Sequence, residues 1–331
     1  MPDTPTSLFR RRSFLTILLM LGGYIPLIHG TAPDLLPPEP QASSTSPASG
    51  LGYMDAAVLG VVEGLTEYLP VSSTGHLILA DQILLSSDHP NLDPTFQAAR
   101  NAYLIAIQGG AILAVIILYW RRIQSILKGC LGLDPTGMRL GIRILLAFVP
   151  SAALGLMIQD WMEAHLFHPT AVALSLIVGA FLMLWVEWKN RGNNALSTIG
   201  HPNGLENLSK RQAIVIGCFQ CLALWPGMSR SMSTIVGAYW VGLKPAAAAE
   251  FSFLLGLLTL SAASIWSLIR AKEAVLMHLT PGPAIVGTII AMAVAMLAVR
   301  WFVSFLCRHG LAWFALYRIL VGVAVLGYAY L

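Results

Sequence analysis

The sequence predicts an all-α polytopic membrane protein: six spanning helices plus two re-entrant helical hairpins in an inverted-topology repeat, with an extra N-terminal hydrophobic segment. Three observations carry this. Hydrophobic residues fill 56% of the 331 positions and charged residues only 11%, with a mean hydropathy of +0.70; ordinary soluble domains carry more than twice that charge. Long apolar segments recur at about 101–120, 139–158, 168–188, 246–269, 283–301 and 312–330, each near the roughly 20 residues that hydrocarbon requires. Two further apolar pairs are too short to cross and are broken in the middle, as backbone lining a membrane cavity is broken.

From the N-terminus, residues 1–12 are polar and end in Arg10-Arg11-Arg12, and an apolar run from Phe14 to Ile28 follows. Residues 1–30 therefore read as a secretory signal or an extra first membrane helix; Arg11-Arg12-Ser13-Phe14-Leu15 resembles a twin-arginine signal, and cleavage after Ala32 stands beside retention. Residues 31–50, rich in Pro, Ser and Ala and without apolar periodicity, read as a disordered linker. The membrane-embedded domain is expected at 51–331.

The first interrupted pair centres on Gly60–His76, GVVEGLTEYLPVSSTGH, with its second arm at Leu77–Leu85. Glu63 and Glu67 are four residues apart, on one face of a helix. Two like charges in an apolar setting need a divalent cation or a shared proton. Pro70 ends the helical run, and Ser72, Ser73, Thr74 and His76 then offer hydroxyls, backbone N–H groups and a ring nitrogen. The second pair, 212–224 and 231–242, is broken by Trp225-Pro226-Gly227-Met228-Ser229-Arg230-Ser231. Arg230 is the one arginine expected deep in the membrane. A guanidinium among Ser229, Ser231, Ser233 and Thr234 at a helix start suits oxyanions, phosphate above all.

Charge orients the segments. With Arg10 to Arg12 inside and both pairs re-entrant, the cytoplasmic side receives Arg121, Arg122, Lys128, Arg139, Arg143, Lys189, Arg191, Lys210, Arg211, Lys244, Arg300 and Arg308. Only Arg100, Arg270 and Lys272 remain outside, as the positive-inside rule asks. The first hairpin then dips from outside and the second from inside. Aligning Gly60 with Gly217 sets Glu63 opposite Gln220, Ser72 opposite Ser229 and Ser73 opposite Arg230 without a gap. The tips of such repeats meet near mid-membrane.

A carboxylate pair facing an anion-binding arginine is an inventory for phosphoryl transfer, which needs positioning and charge neutralisation. Ser72, Ser73 or a water could attack, and His76 is the natural acid or base. Asn101, Gln108, Gln159 and Glu250 read as packing groups, and Tyr119, Trp120, Trp161, Trp188 and Trp301 as interface anchors. The net charge of +4 includes no basic cluster suited to nucleic acid. Cys130, Cys218, Cys221 and Cys307 form no disulfide framework, and Cys218-Phe-Gln-Cys221 lacks the strand-then-helix context of a redox motif.

Glu63-Gly-Leu-Thr-Glu67-Tyr-Leu-Pro-Val-Ser-Ser-Thr-Gly-His76 and Pro226-Gly-Met-Ser-Arg-Ser-Met-Ser-Thr234 together resemble the bacterial undecaprenyl-diphosphatase, or bacitracin-resistance, family, and Phe251-Ser-Phe-Leu-Leu255 resembles a third stretch of it. The resemblance covers about 51–331. It implies a metal-dependent phosphatase of the bacterial inner (cytoplasmic) membrane that converts undecaprenyl diphosphate to the monophosphate on the outer face, regenerating the carrier lipid for peptidoglycan. By similarity Glu63 and Glu67 are the acidic pair that holds a divalent ion (Mg or Ca), His76 the catalytic histidine, and Ser72 or Ser73 the nucleophile. Arg230 with Ser229 and Thr234 is the diphosphate clamp, and Thr74, Gly227 and Ser231 join the substrate-binding set. The implied partners are the polyprenyl diphosphate and the bilayer, with a homodimer left open. Met232 departs from the family's glycine and bears on the clamp's width; Leu257-Leu258 replaces a common proline. A secondary transporter or lipid flippase on the same repeats is the rival reading. A histidine-based, metal-independent lipid phosphatase is disfavoured because no His or Asp follows Arg230 for dozens of residues.

Overall fold

The computed structural model describes residues 52–73, 76, 94–166, 168–191, 205–270 and 272–329. The N-terminal segment and linker, the second arm of the first hairpin and Thr74 lie outside the described residues. Within them every regular element is helical: α1 (Tyr53–Thr66), α2 (Pro94–Leu118), α3 (Trp120–Cys130), α4 (Pro135–Leu166), α5 (Pro169–Arg191), α6 (Lys210–Gln220), α7 (Arg230–Trp240), α8 (Pro245–Arg270), α9 (Lys272–His278), α10 (Pro281–His309) and α11 (Ala312–Ala329).

Five described helices are long and apolar enough to cross a membrane: 101–118 in α2, 135–158 in α4, 170–190 in α5, 245–269 in α8 and 281–309 in α10. They coincide with five of the six expected spans. The sixth, the apolar stretch Ala312–Gly327, is shorter; the 18 residues of α11 reach about 27 Å, just under the hydrocarbon thickness. Trp120, Trp161, Trp188 and Trp301 are exposed, as anchors should be. Gln108 accepts from Ser264 at 2.7 Å and Glu250 pairs with Arg122 at 2.7 Å, so both act in packing between helices. All four cysteines are free.

The short helices have local causes. Asp55 accepts the Gly52 N–H at 3.1 Å and opens α1; beyond Thr66 the chain turns through Glu67–Val71, where Pro70 withholds a donor. Ser209 caps α6 reciprocally with Gln212, at 3.2 and 2.8 Å. After a 3-10 turn at Cys221–Leu224 comes a tight turn with Gly227 at φ +88°, and α7 begins at Arg230. Between α3 and α4, Asp134 accepts from Ser125 at 2.5 Å and from the N–H groups of Thr136 and Gly137, bonds that hold its carboxyl below the usual range.

Packing is reciprocal between the halves. The first arm α1 lies on α10, whereas α6 lies on α4; α2 pairs with α8, and α5 with α11. Glycine permits both close crossings. A Cβ on Gly60 would stand 2.5 Å from the Gly287 carbonyl oxygen, and one on Gly217 would stand 2.4 Å from that of Ala147. These two glycines are the pair from which the repeat alignment starts.

Arg318 overturns the expectation that Arg230 is the only deep arginine. It is fully buried in α11 and donates to four carbonyls: Pro70 at 3.3 Å, Gly227 at 3.1 Å, Ser175 at 3.2 Å and Leu176 at 3.2 Å. Pro70 and Gly227 occupy equivalent positions in the ungapped alignment. One guanidinium thus joins both helix breaks to α5, and Gly179 leaves room for it, a Cβ there falling 2.4 Å from Nη2.

Backbone faces each crossing glycine, so neither helix can yield cheaply. Gly60→Ala and Gly217→Ala should each cost roughly 1–3 kcal/mol, read as lowered unfolding midpoints in detergent; unchanged midpoints in both would mean that the two crossings are looser than described.

Candidate active site

Both interruptions contain a serine in the left-handed region, Ser72 at φ +76° and Ser229 at φ +71°, the two described non-glycine residues with positive φ. For a residue with a Cβ that conformation costs about 1–2 kcal/mol. Each serine reverses the chain just before the residue that reaches the site. Ser73 and Arg230, the two that follow, converge on one carboxylate: Ser73 Oγ donates to Glu67 Oε2 at 2.5 Å, and Arg230 Nη2 donates to Glu67 Oε1 at 3.1 Å.

Arg230 is further held by Nη1, which donates to the Ser252 carbonyl at 3.1 Å. Gly256 on α8 makes space for it, since a Cβ there would lie 2.0 Å from Nη1. Glu63 and Glu67 are both buried on one face, as their spacing predicted, and the helical bond from Glu67 N–H to Glu63 O, 3.0 Å, keeps them one turn apart. Two buried polar atoms at this point, Glu63 Oε2 and Arg230 Nε, have no hydrogen-bond partner among the described residues. Buried polar atoms are seldom left so; the carboxylate oxygen could take a cation and the guanidinium N–H an anion.

Other predicted residues are drawn to the same place. Ser229 Oγ accepts from Met232 N at 3.4 Å and lies 3.1 Å from Ser231 Oγ. Ser231 Oγ donates to the Leu69 carbonyl at 2.8 Å and so ties one tip to the other. Thr234 Oγ1 lies 2.6 Å from Ser252 Oγ. Gly227 packs on α5, where a Cβ would meet Ser175 Oγ at 2.3 Å, and its carbonyl is taken by Arg318. Met232 is fully buried, with its tip beside Gly179 of α5.

His76 faces elsewhere. Its Nδ1 is 2.7 Å from the Ser72 carbonyl and its Nε2 is 2.5 Å from the Tyr317 hydroxyl. A carbonyl can only accept, so Nδ1 carries the proton and Nε2 accepts from Tyr317. The described contacts place His76 on the same loop as Ser73 but give it no bond to Glu63, Glu67 or Arg230.

Tyr317, Arg318, Ser252 and Gly256 were not singled out in the sequence. Arg318 carried a usable signal, a lone charge inside an apolar span, and Ser252 sits inside the third family-like stretch.

Two apolar cavities flank the cluster. One of about 820 Å³ is lined by Thr66, His76 and Tyr317 with Trp301, Phe305 and Trp313. The other, about 470 Å³, has Arg230, Gln220 and Ser151 at its polar end with Leu224, Leu260 and Trp266. An apolar chamber ending at a buried charge suits an amphiphile with an anionic head.

Comparison with known proteins is consistent across the described domain. Residues 56–324 match the family model described as bacitracin resistance protein BacA. The undecaprenyl-diphosphatase of Sorangium cellulosum (strain So ce56) is 44% identical over 277 residues, 83% of this chain and 85% of that protein. That of Bacillus subtilis (strain 168) is 42% identical over 275 residues, 82% of this chain and 96% of the relative. The Clostridium tetani (strain Massachusetts / E88) protein of the same name is 39% identical over 274 residues, with 82% and 95% covered.

Gly256→Ala tests the clamp without touching a charged side chain. The new methyl group would push Arg230 from Glu67 and Ser252, and loss of one charged hydrogen bond, about 1.5–3 kcal/mol, should weaken binding of inorganic diphosphate roughly 10- to 100-fold. Calorimetric titration that finds wild-type affinity would remove Arg230 from the anion site.

Proposed function

The chain belongs to the bacitracin resistance protein BacA family, and on that premise we propose that it hydrolyses undecaprenyl diphosphate to undecaprenyl phosphate and inorganic phosphate, recycling the carrier lipid for peptidoglycan synthesis and conferring bacitracin resistance. The observation that carries the reading is the shared carboxylate: Glu67 binds a serine hydroxyl through one oxygen and an arginine through the other, inside the membrane domain. A transporter or flippase on the same scaffold has use for the arginine but none for a hydroxyl aimed at a base.

In the proposed reaction Arg230 grips the diphosphate, assisted by Ser229, Ser231 and Thr234 at the start of α7, with Thr74 and Gly227 completing the substrate contacts. Glu67 takes the Ser73 proton as Ser73 Oγ forms a bond to the terminal phosphorus. The phosphoanhydride bond breaks, and the bridging oxygen leaves on the polyprenyl monophosphate. Water then cleaves the serine phosphoester, returning the hydroxyl and releasing inorganic phosphate. Ser72 supplies the strained turn that aims Ser73, and His76, bonded to the Ser72 carbonyl, is the acid–base group proposed for this loop. Glu63 Oε2, buried and unpartnered beside Glu67, fits a divalent cation, Mg or Ca. Held by Glu63 and Glu67, such an ion would neutralise charge on the diphosphate oxygens.

The reciprocal packing supports six spans and two re-entrant hairpins in an inverted repeat, and the basic bias of the loops supports a site opening to the outer face of the bacterial inner membrane. The bilayer and the lipid substrate are the proposed partners.

Glu67→Gln preserves volume but removes the base and half the local negative charge. Phosphate release in detergent should fall roughly 10²- to 10⁴-fold, with partial rescue by excess metal. Chelator-treated Glu67→Gln protein with full activity would sink both roles.

Topology is read separately. After replacement of Cys130, Cys218, Cys221 and Cys307, a cysteine at Glu163 should react with a membrane-impermeant thiol reagent in intact cells, and one at Lys128 or Arg191 should not. The opposite pattern would invert the proposed orientation.

A further inference from the structure

Tyr317 has no part in the chemistry above, yet its hydroxyl meets His76 Nε2 at 2.5 Å, and the two rings stack at 5.8 Å with their planes 14° apart. We propose that Tyr317 is a positioning residue of the reaction, fixing the His76 ring in one tautomer and one orientation against the loop that carries Ser73. The inference rests on the phosphatase reading.

The loop is held from α11 at two points. Arg318, the residue after Tyr317, bonds the Pro70 carbonyl at 3.3 Å. Two residues on, the Ser72 carbonyl accepts the His76 Nδ1–H at 2.7 Å, and Tyr317 holds the far side of that ring. Between the two points the chain makes its left-handed turn at Ser72, φ +76°, and the next residue puts its hydroxyl 2.5 Å from Glu67. A conformation this unfavourable persists only where its surroundings over-determine it. The imidazole serves as the strut between the Ser72 carbonyl and the rigid last helix.

A phenol suits this position because it is both donor and acceptor. With neutral His76 the hydroxyl donates to Nε2. When Nε2 is protonated the hydroxyl oxygen turns acceptor, and the ring keeps its place. His76 can therefore change charge during turnover without releasing Ser72. Phenylalanine would keep the stack and the volume while removing that hold.

A double-mutant cycle on the full chain in detergent, with undecaprenyl diphosphate as substrate, compares wild type, Tyr317→Phe, His76→Gln and the double variant. Tyr317→Phe should lower kcat roughly tenfold, the worth of one hydrogen bond, with KM within about twofold and an unchanged unfolding midpoint. In the His76→Gln background the second substitution should add nothing. A wild-type kcat in Tyr317→Phe, or an undiminished loss on top of His76→Gln, would overturn the proposal. Nitrogen-15 NMR of the His76 imidazole reads the positioning without turnover. The Nδ1–H tautomer should dominate in wild type and give way to a mixture in Tyr317→Phe; a ring that keeps one tautomer without the hydroxyl also overturns the proposal. A wild-type protein with the expected tautomer but no phosphate release would instead refute the phosphatase reading.

Discussion

A chain broken among packed apolar helices leaves carbonyls that the helices themselves do not satisfy, and the described structure answers with the guanidinium of Arg318. Its four named bonds go to carbonyls alone, one from each helix break, Pro70 and Gly227, and two from α5. A buried cation without a carboxylate is expensive unless its N–H groups are filled. Unpaired carbonyls at the two tips carry the same penalty. Each problem is the other's remedy, and together they define where the tips stand relative to α5 and α11. Ser175 reinforces the arrangement, since its hydroxyl donates to the Pro226 carbonyl at 2.6 Å.

On this shared support the two aligned segments keep the same backbone devices and diverge in chemistry. Gly60 and Gly217 each let a short helix cross a long one, Pro70 and Gly227 each offer a carbonyl to Arg318, and Ser72 and Ser229 each turn left-handed. The side chains that differ do the work of the site. Glu63 faces Gln220 in the alignment, Glu67 faces Leu224, and Ser73 faces Arg230. The two positive-φ serines align, the residues after them arrive at one point, and the single Glu67 carboxylate receives both. An acidic partner in only one of the two segments makes the cluster directional, with a hydroxyl on one oxygen and a guanidinium on the other.

Much of this was legible because it is local. Apolar length gives the spans, Glu63 and Glu67 share a helical face, and Pro and Gly announce the breaks. Ser72, Ser73 and Arg230 stood out as polar groups beside those breaks. What stayed hidden depends on partners far along the chain. Arg318 lies in a span that hydropathy accepts without comment, and its role appears only when Pro70, Ser175 and Gly227 surround it. Ser252 contributes to Arg230 chiefly through its backbone carbonyl, which no sequence pattern displays. Gly256 looks like any glycine in an apolar helix until the Arg230 guanidinium is seen against it. His76 was legible as a functional group, but its nearest hydroxyl partner is on α11 rather than in its own loop.

Charge accounting gives the last constraint. Arg318 is directed wholly to neutral carbonyls, which leaves Arg230 to balance two buried carboxylates, Glu63 and Glu67. Ionised, that cluster is net negative, and in a medium of low dielectric an excess charge is costly even before a ligand arrives. A diphosphate head group would add several more negative charges at the same point. Arg230 cannot offset both the carboxylates and the substrate. The proposed reaction therefore asks for positive charge that arrives with the substrate or just before it. A divalent ion held by Glu63 and Glu67, as proposed above, would supply that charge and would leave Arg230 available to the anion. A shared proton between Glu63 and Glu67 would neutralise the empty cluster but would leave the incoming diphosphate uncompensated, and for that reason the proton alone is the weaker solution.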